Sequence, residues 1–317
     1  MAVGLIAGGV MAFGGGGGED EPPTGKAADV VTAYLEALQR GDAKAALSLG
    51  REQPPDSSIL TDEVLKKQME KYPITDVRIL GEIPVSDGGA FVRLLAKVGG
   101  VENDGGIYLP KPPPGDGWKL KSAVTSVEVL LDDVNPKLAQ YITVWGQPLP
   151  KGGKAYQFPG ATEFGSSNPT LQIEELRKKH GQETVPSLFG ITAMSSSLAL
   201  DFSLSDKGTE ALKQAVTKAL QECAKSTSLQ PPNCPNTATR SDFVPDSAQW
   251  TAPPNVDDFT LNLLDHKTGK VKFSGRPEFG VSVKTTSGQT ESGSFAPGVE
   301  GTADMTTDPP TIELNKV

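Results

Sequence analysis

The sequence predicts an α+β protein in which helices pack on a curved antiparallel sheet and a β-rich second domain with one long helix follows. Three observations predict it. Apolar residues recur at helical spacing between Ala27 and Gly50, and they alternate at the period of a strand between Thr75 and Val129. Beyond Asn135, short alternating runs with Pro and Gly corners surround a single long helical stretch, Asp206 to Lys225. The 317 residues suffice for two domains, since domains run about 100 to 200 residues. The 35 Gly and 26 Pro, with 37% hydrophobic residues, suit a loop-rich, β-leaning globular chain.

Residues 1–26 stand apart. An apolar run from Ala2 to Phe13 leads into glycines 14–18 and then an acidic, Pro-containing spacer. No basic residue precedes the run, as a secretory signal requires, and a spanning helix needs about 20 apolar residues. The expectation is the remaining end of a transmembrane helix that starts upstream, with the spacer holding the folded part off the membrane. A disordered tail is the alternative. No cysteine follows the run to carry a lipid anchor, and no Lys-Ser/Thr follows the glycines to make them a phosphate cradle.

Val30, Val31, Tyr34, Leu35 and Leu38 form the apolar stripe of a first helix, with Asp29, Glu36, Gln39 and Arg40 between them. Gly41 supplies a left-handed stop and Asp42 caps a second short helix through Leu49. The pattern Tyr34-Leu35-x-Ala37-Leu38-x-x-Gly41-Asp42-x-x-x-Ala46-Leu47 resembles the opening helices of the nuclear-transport-factor-two-like (cystatin-like) superfamily, over about a third of the chain. That resemblance implies a cone formed between helices and a curved sheet.

After a polar loop, Thr61 caps a third helix carrying Val64, Leu65 and Met69, which must stop before Pro73. Strands are expected over 75–80, 90–98, 102–109 and 117–129, joined as antiparallel hairpins. Val92, Leu94, Ala96 and Val98 fall on one face, opposite Arg93 and Lys97. Asp132 to Pro136 is the expected boundary, so the first domain is 27–133 and the second 134–317. Within the second, a small β unit (137–204) vaguely resembles short sandwich modules of bacterial envelope proteins. A helix-plus-sheet unit (205–317) follows, its helix capped by Ser205 and its strands over 259–264, 270–285, 289–305 and 311–314. The order of elements suggests a divergent second copy of the first domain.

Cys223 lies on the apolar stripe of the long helix and Cys234 in a Pro-rich loop, and an even count in an extracytoplasmic protein favours a disulfide between them. Two free buried thiols are the alternative. No metal is expected, since no His or third Cys stands nearby at ligand spacing. His180 and His266 sit in charged or turn sequence and read as solvated. Lys267-Thr268-Gly269 and Ser166-Ser167-Asn168 echo two motifs of the transpeptidase unit that related domains precede in some penicillin-binding proteins, yet no Ser-x-x-Lys occurs in the chain. Asp132-Asp133 and Asp257-Asp258 lack the oxygen spacing of a calcium loop.

A formal charge of -9 without a long basic run speaks against nucleic acid. The expectation is a non-catalytic envelope protein, single-pass and mostly extracytoplasmic, without a cofactor. Its partners are the membrane and either an envelope protein, as an interaction module, or a lipid or small amphiphile in the cone. For the second case Tyr34, Leu38, Trp118 and Leu120 would line the mouth; as ordinary core they would not. The whole chain resembles membrane-anchored envelope proteins of actinobacteria.

Overall fold

The computed structural model describes residues 25–181, 186–189 and 196–315. The expected membrane run, Ala2 to Phe13, lies outside them, and none of the described helices is long and apolar enough to cross a membrane. The chain is α+β, with mostly antiparallel sheets and few helices.

Local chemistry sets the first elements. Helix α1 (Ala27–Arg40) buries its apolar stripe and ends at Gly41, whose φ of 69° only glycine adopts without penalty. Asp42 accepts a bond from the Ala45 amide at 2.9 Å and starts α2 (Ala43–Ser48). Strand β1 (Gly50–Glu52) follows, then α3 (Asp62–Lys71), capped by the Thr61 hydroxyl on the Val64 amide at 3.2 Å. Strands β2 (Ile74–Pro84), β3 (Ala90–Val98) and β4 (Val101–Leu109) form an antiparallel meander. Its buried face, Val92, Leu94, Ala96 and Val98, packs on Val31, Tyr34, Leu35 and Leu38 of α1, and each buried Val or Leu contributes about 1.5–3 kcal/mol.

The segment expected as one strand over 117–129 is two, β5 (Leu120–Ser122) and β6 (Thr125–Val129). Ala123 and Val124 are both buried, which breaks the alternation and turns the chain. Strand β5 lies parallel to β1, so the polar loop after α2 begins with a strand, and the expectation of purely antiparallel pairing is corrected here.

Helix α4 (Pro136–Ala139) leads to β7 (Ile142–Val144) and β8 (Gln147–Pro148), a hairpin closed by Trp145 and Gly146 at φ 54° and 79°. The chain thus reverses before Pro150. Strand β9 (Lys154–Gln157) pairs with β6, and β10 (Phe164–Ser166) with β7. Next come β11 (Leu171–Glu175), α5 (Leu176–Lys179), β12 (Ser196–Leu198) and β13 (Leu200–Leu204). Strand β12 runs parallel to β6. Contacts cross residue 133: Ile59 and Val64 share a buried cluster with Val127, Val144, Trp145 and Ala155.

Helix α6 (Asp206–Ala224) is capped by Ser205 on the Gly208 amide at 3.1 Å. It buries Leu212, Val216 and Leu220 with Phe273, Phe279 and Ala303. Strands β14 (Gln249–Thr251), β15 (Thr260–Leu261), β16 (Lys270–Gly275), β17 (Phe279–Lys284), β18 (Thr290–Phe295), β19 (Val299–Asp304) and β20 (Thr311–Asn315) complete the unit. Four expected segments have become six strands, because 270–285 and 289–305 each divide. Gly275 pairs with Val299 and Phe279 with Phe295, one unbroken register that sets Pro277 opposite Pro297. Neither proline can donate to the ladder, so a single long hairpin bends there and serves two sheets, β14-β17-β18 and β15-β16-β19-β20. This order differs from the β2-β3-β4 meander, so helix-then-sheet recurs in the chain but the strand topology does not.

Candidate functional site

Tyr34 and Leu38 on α1 and Leu120 on β5 are 0%, 0% and 1% exposed, and Trp118 packs half-buried against the same cluster. The Tyr34 hydroxyl donates to the Ala123 carbonyl, and burial raises its pKa above the phenol range. Tyr34, Leu38 and Leu120 are members of the first unit's buried cluster, and Trp118 packs against it. They form its core, and the surface depressions described below are lined by other residues.

Cys223 and Cys234 form a disulfide with Cα atoms 5.6 Å apart, pinning the loop after α6 back onto the helix. Lys267-Thr268-Gly269 is a hairpin turn with Gly269 at φ 74°. Asp265 accepts from the Lys267 amide and the Thr268 hydroxyl, both at 2.9 Å, and these bonds hold its carboxyl below the usual range. His266, expected to be solvated, is half-buried and stacks on Phe202 at 6.3 Å, while His180 is exposed. Ser166 donates to the Asn168 carbonyl at 3.0 Å, closing its own loop. Asp132, Asp133, Asp257 and Asp258 are exposed, with Asp133 paired to Lys267 at 3.0 Å and Asp257 to Lys213 at 3.5 Å. Among the described residues no group of three or more His, Cys, Asp or Glu is placed to hold a metal.

Three features escaped sequence reasoning. The first is a clasp at Glu163. Its Oε1 receives the Tyr72 hydroxyl at 2.6 Å, the Lys71 ammonium at 2.9 Å and the Lys178 ammonium at 3.2 Å. Burial alone would raise this carboxyl; the bonds from Tyr72 and Lys71 and the charge of Lys178 outweigh it and hold the pKa low. Trp145 meets the Tyr72 ring edge-on at 6.1 Å. The partners come from α3, the loop before β10 and α5, far apart in sequence.

The second feature is an exposed apolar row on the outer face of the β2-β3-β4 sheet. Ile83, Phe91 and Tyr108 are directly opposite one another. Ile83 is 51% exposed, and Leu80, at a bulge in β2, is 53% exposed. Alternation called β3 correctly but could not show that β2, an edge strand, leaves its apolar residues uncovered.

The third lies where the disulfide loop meets β18. The Arg240 guanidinium bonds Asp242 at 2.6 Å and Glu291 at 2.5 Å and lies 4.7 Å over the Phe243 ring. The hydrogen bonds it donates to Asp242 and Glu291 raise its pKa further. A depression of about 540 Å³ beside it is lined by Leu229, Ala238, Thr239, Arg240 and Asp246. A groove of about 530 Å³ runs between Ala215 and Ala219 of α6 and Pro309, Pro310 and Ile312.

Comparison of the chain with protein-family models, with curated proteins and with solved structures finds no match.

Proposed function

We propose that this protein is a non-catalytic interaction module of the cell envelope. It is held to the membrane by its N-terminal segment, and the bulk of the chain is extracytoplasmic. Its two α+β units, 27–133 and 134–317, act by binding a partner protein, and the first is a nuclear-transport-factor-two-like domain. The observation that carries this reading is the filled interior of the first unit, with Tyr34 and Leu38 fully buried, together with the exposed Leu80 and Ile83 on its outer sheet face. A carrier of lipid would need that interior empty. The Cys223–Cys234 disulfide supports an oxidising compartment.

Native mass spectrometry of the protein extracted from its own membrane tests the reading. A co-purifying protein subunit is the expected result. A stoichiometric lipid in place of a subunit would favour the carrier reading, and neither would leave the module without a partner.

A further inference from the structure

We infer that the free edge of β18 is the docking site for an extended segment of a partner protein, a strand carrying a large apolar residue followed two positions later by Lys or Arg. This deepens the interaction reading and rests on it.

An edge strand exposes a row of backbone donors and acceptors, and proteins blunt such rows with charges, prolines, bulges or a covering segment. Two other long edges here are managed. Strand β2 carries two register shifts and a positive-φ Asp76. Strand β4 is covered through Asn103, which accepts from the Leu188 amide at 3.1 Å and donates to the Pro186 carbonyl at 3.3 Å. Strand β18 pairs without a shift to β17 on one side and meets no strand on the other among the described residues. Its sequence, TESGSF, has no Pro and no Lys, and five of its six residues are exposed.

The chemistry of the occupant follows from one face of this edge. Directly opposite pairs share a face, so Glu291, Gly293 and Phe295 lie on the side of Val283, Val281 and Phe279. Trp250 lies on that side too, opposite Val281 and 5.9 Å from Phe295. A Cβ at Gly293 would meet nothing within 4 Å. The glycine therefore leaves a notch beside the half-exposed Val281 and Phe295, which a large apolar side chain from a neighbouring strand would fill. Two residues along, Asp242 and Glu291 share one guanidinium, that of Arg240, leaving one net negative charge beside the edge. An antiparallel strand with its apolar residue opposite Gly293 puts its second-next residue opposite Glu291, where a cation is complementary.

A second copy of the chain fits poorly. Its only apolar β18 residue is Phe295, and two positions on stands Pro297, which carries no charge and ends the ladder.

The test titrates the full-length chain with a labelled, end-blocked peptide, Thr-Val-Thr-Phe-Thr-Lys-Thr, and with its reversed sequence, reading fluorescence anisotropy and amide hydrogen exchange. The first peptide should bind about tenfold tighter than the reversed one and protect residues 290–295. The exposed double substitution Ser292→Lys with Ser294→Lys should weaken it by at least about tenfold, with near-ultraviolet circular dichroism unchanged. Glu291→Lys should remove the preference for a basic residue. Equal binding of both peptides, protection confined to the α6 groove or to β2, or self-association that protects β18 would overturn the proposal. A co-purifying subunit with β18 unprotected overturns the edge and leaves the interaction reading standing. Peptide binding at β18 with no subunit supports the edge and counts against that reading.

Discussion

The clasp at Glu163 allows a prediction worked from distances. Three donors converge on one carboxylate oxygen, and they are unequal. The Tyr72 hydroxyl, at 2.6 Å, is a neutral donor on a charged acceptor, a bond contributing about 1.5–3 kcal/mol. The Lys71 and Lys178 side chains are 53% and 34% exposed, so solvent reduces each ion pair to about 0.2–1 kcal/mol. Glu163→Ala should therefore destabilise by about 2–5 kcal/mol. Glu163→Gln keeps an acceptor for Tyr72 and should lose about 1–2 kcal/mol. Urea unfolding followed by tryptophan emission measures both. In a double-mutant cycle, Tyr72→Phe with Glu163→Gln should give a coupling of about 1 kcal/mol.

The pH dependence adds a second check. The native pKa of Glu163 lies below its ordinary value, because the bonds from Tyr72 and Lys71 and the Lys178 charge outweigh burial. As pH falls, the unfolded chain takes up the proton first. The contribution is then complete above the unfolded value of about 4.3 and is lost as pH drops through the native one. The gap between wild type and Glu163→Gln should be constant at neutral pH and narrow below that window. A gap that does not narrow at all as the pH is lowered through the acid range, or a coupling under about 0.3 kcal/mol, would refute the assignment of the charge as the stabilising element.

Three further outcomes follow from the same structure. Replacing Cys223 and Cys234 by Ala opens a crosslink with a sequence separation of 11; loop-closure entropy gives about 3 kcal/mol, read as a lower melting temperature. Blocking of both thiols in intact cells, before reduction, should be negligible. Tyr34→Phe leaves the buried Ala123 carbonyl without its donor and should cost about 1–3 kcal/mol by chemical denaturation. Leu80→Ser with Ile83→Ser alters residues more than half exposed, so stability should stay within about 0.5 kcal/mol while co-purification of a subunit falls.

Legibility in the sequence divides along range. Asp42, Thr61 and Ser205 each accept from an amide three residues on, and the Gly41 amide donates to the Leu38 carbonyl three residues back, so the helix ends they set were readable from residue type and spacing. Alternation in β3 was equally plain. The parallel pairings of β1 with β5 and β6 with β12 join segments about 70 residues apart, and periodicity carries no information on which strand a strand will meet. The break between β5 and β6 arises from two successive buried residues, a tertiary fact. Pro277 and Pro297 stand inside the expected strands 270–285 and 289–305, and that they interrupt both at one place, facing one another, depends on the hairpin register. The Glu163 and Arg240 clusters bond residues up to 92 and 51 positions apart, beyond any local pattern.

The choice between interaction module and lipid carrier turns on what opening the first unit would require. Tyr34, Leu38 and Leu120 fill its centre, and vacating the space of a Leu-sized side chain costs about 2–5 kcal/mol. An amphiphile displacing three such groups would face about 10 kcal/mol before gaining a contact. Micromolar affinity supplies about 8 kcal/mol in total. A peptide on the edge of β18, or a partner on the row of Ile83, Phe91 and Tyr108, meets groups that are already at the surface and displaces only water. Titration of the native chain with a fluorescent fatty acid separates the two cases: saturable one-to-one binding in which Trp118 emission is quenched and the probe's emission is sensitised would show that the interior opens at less energy than its packing implies.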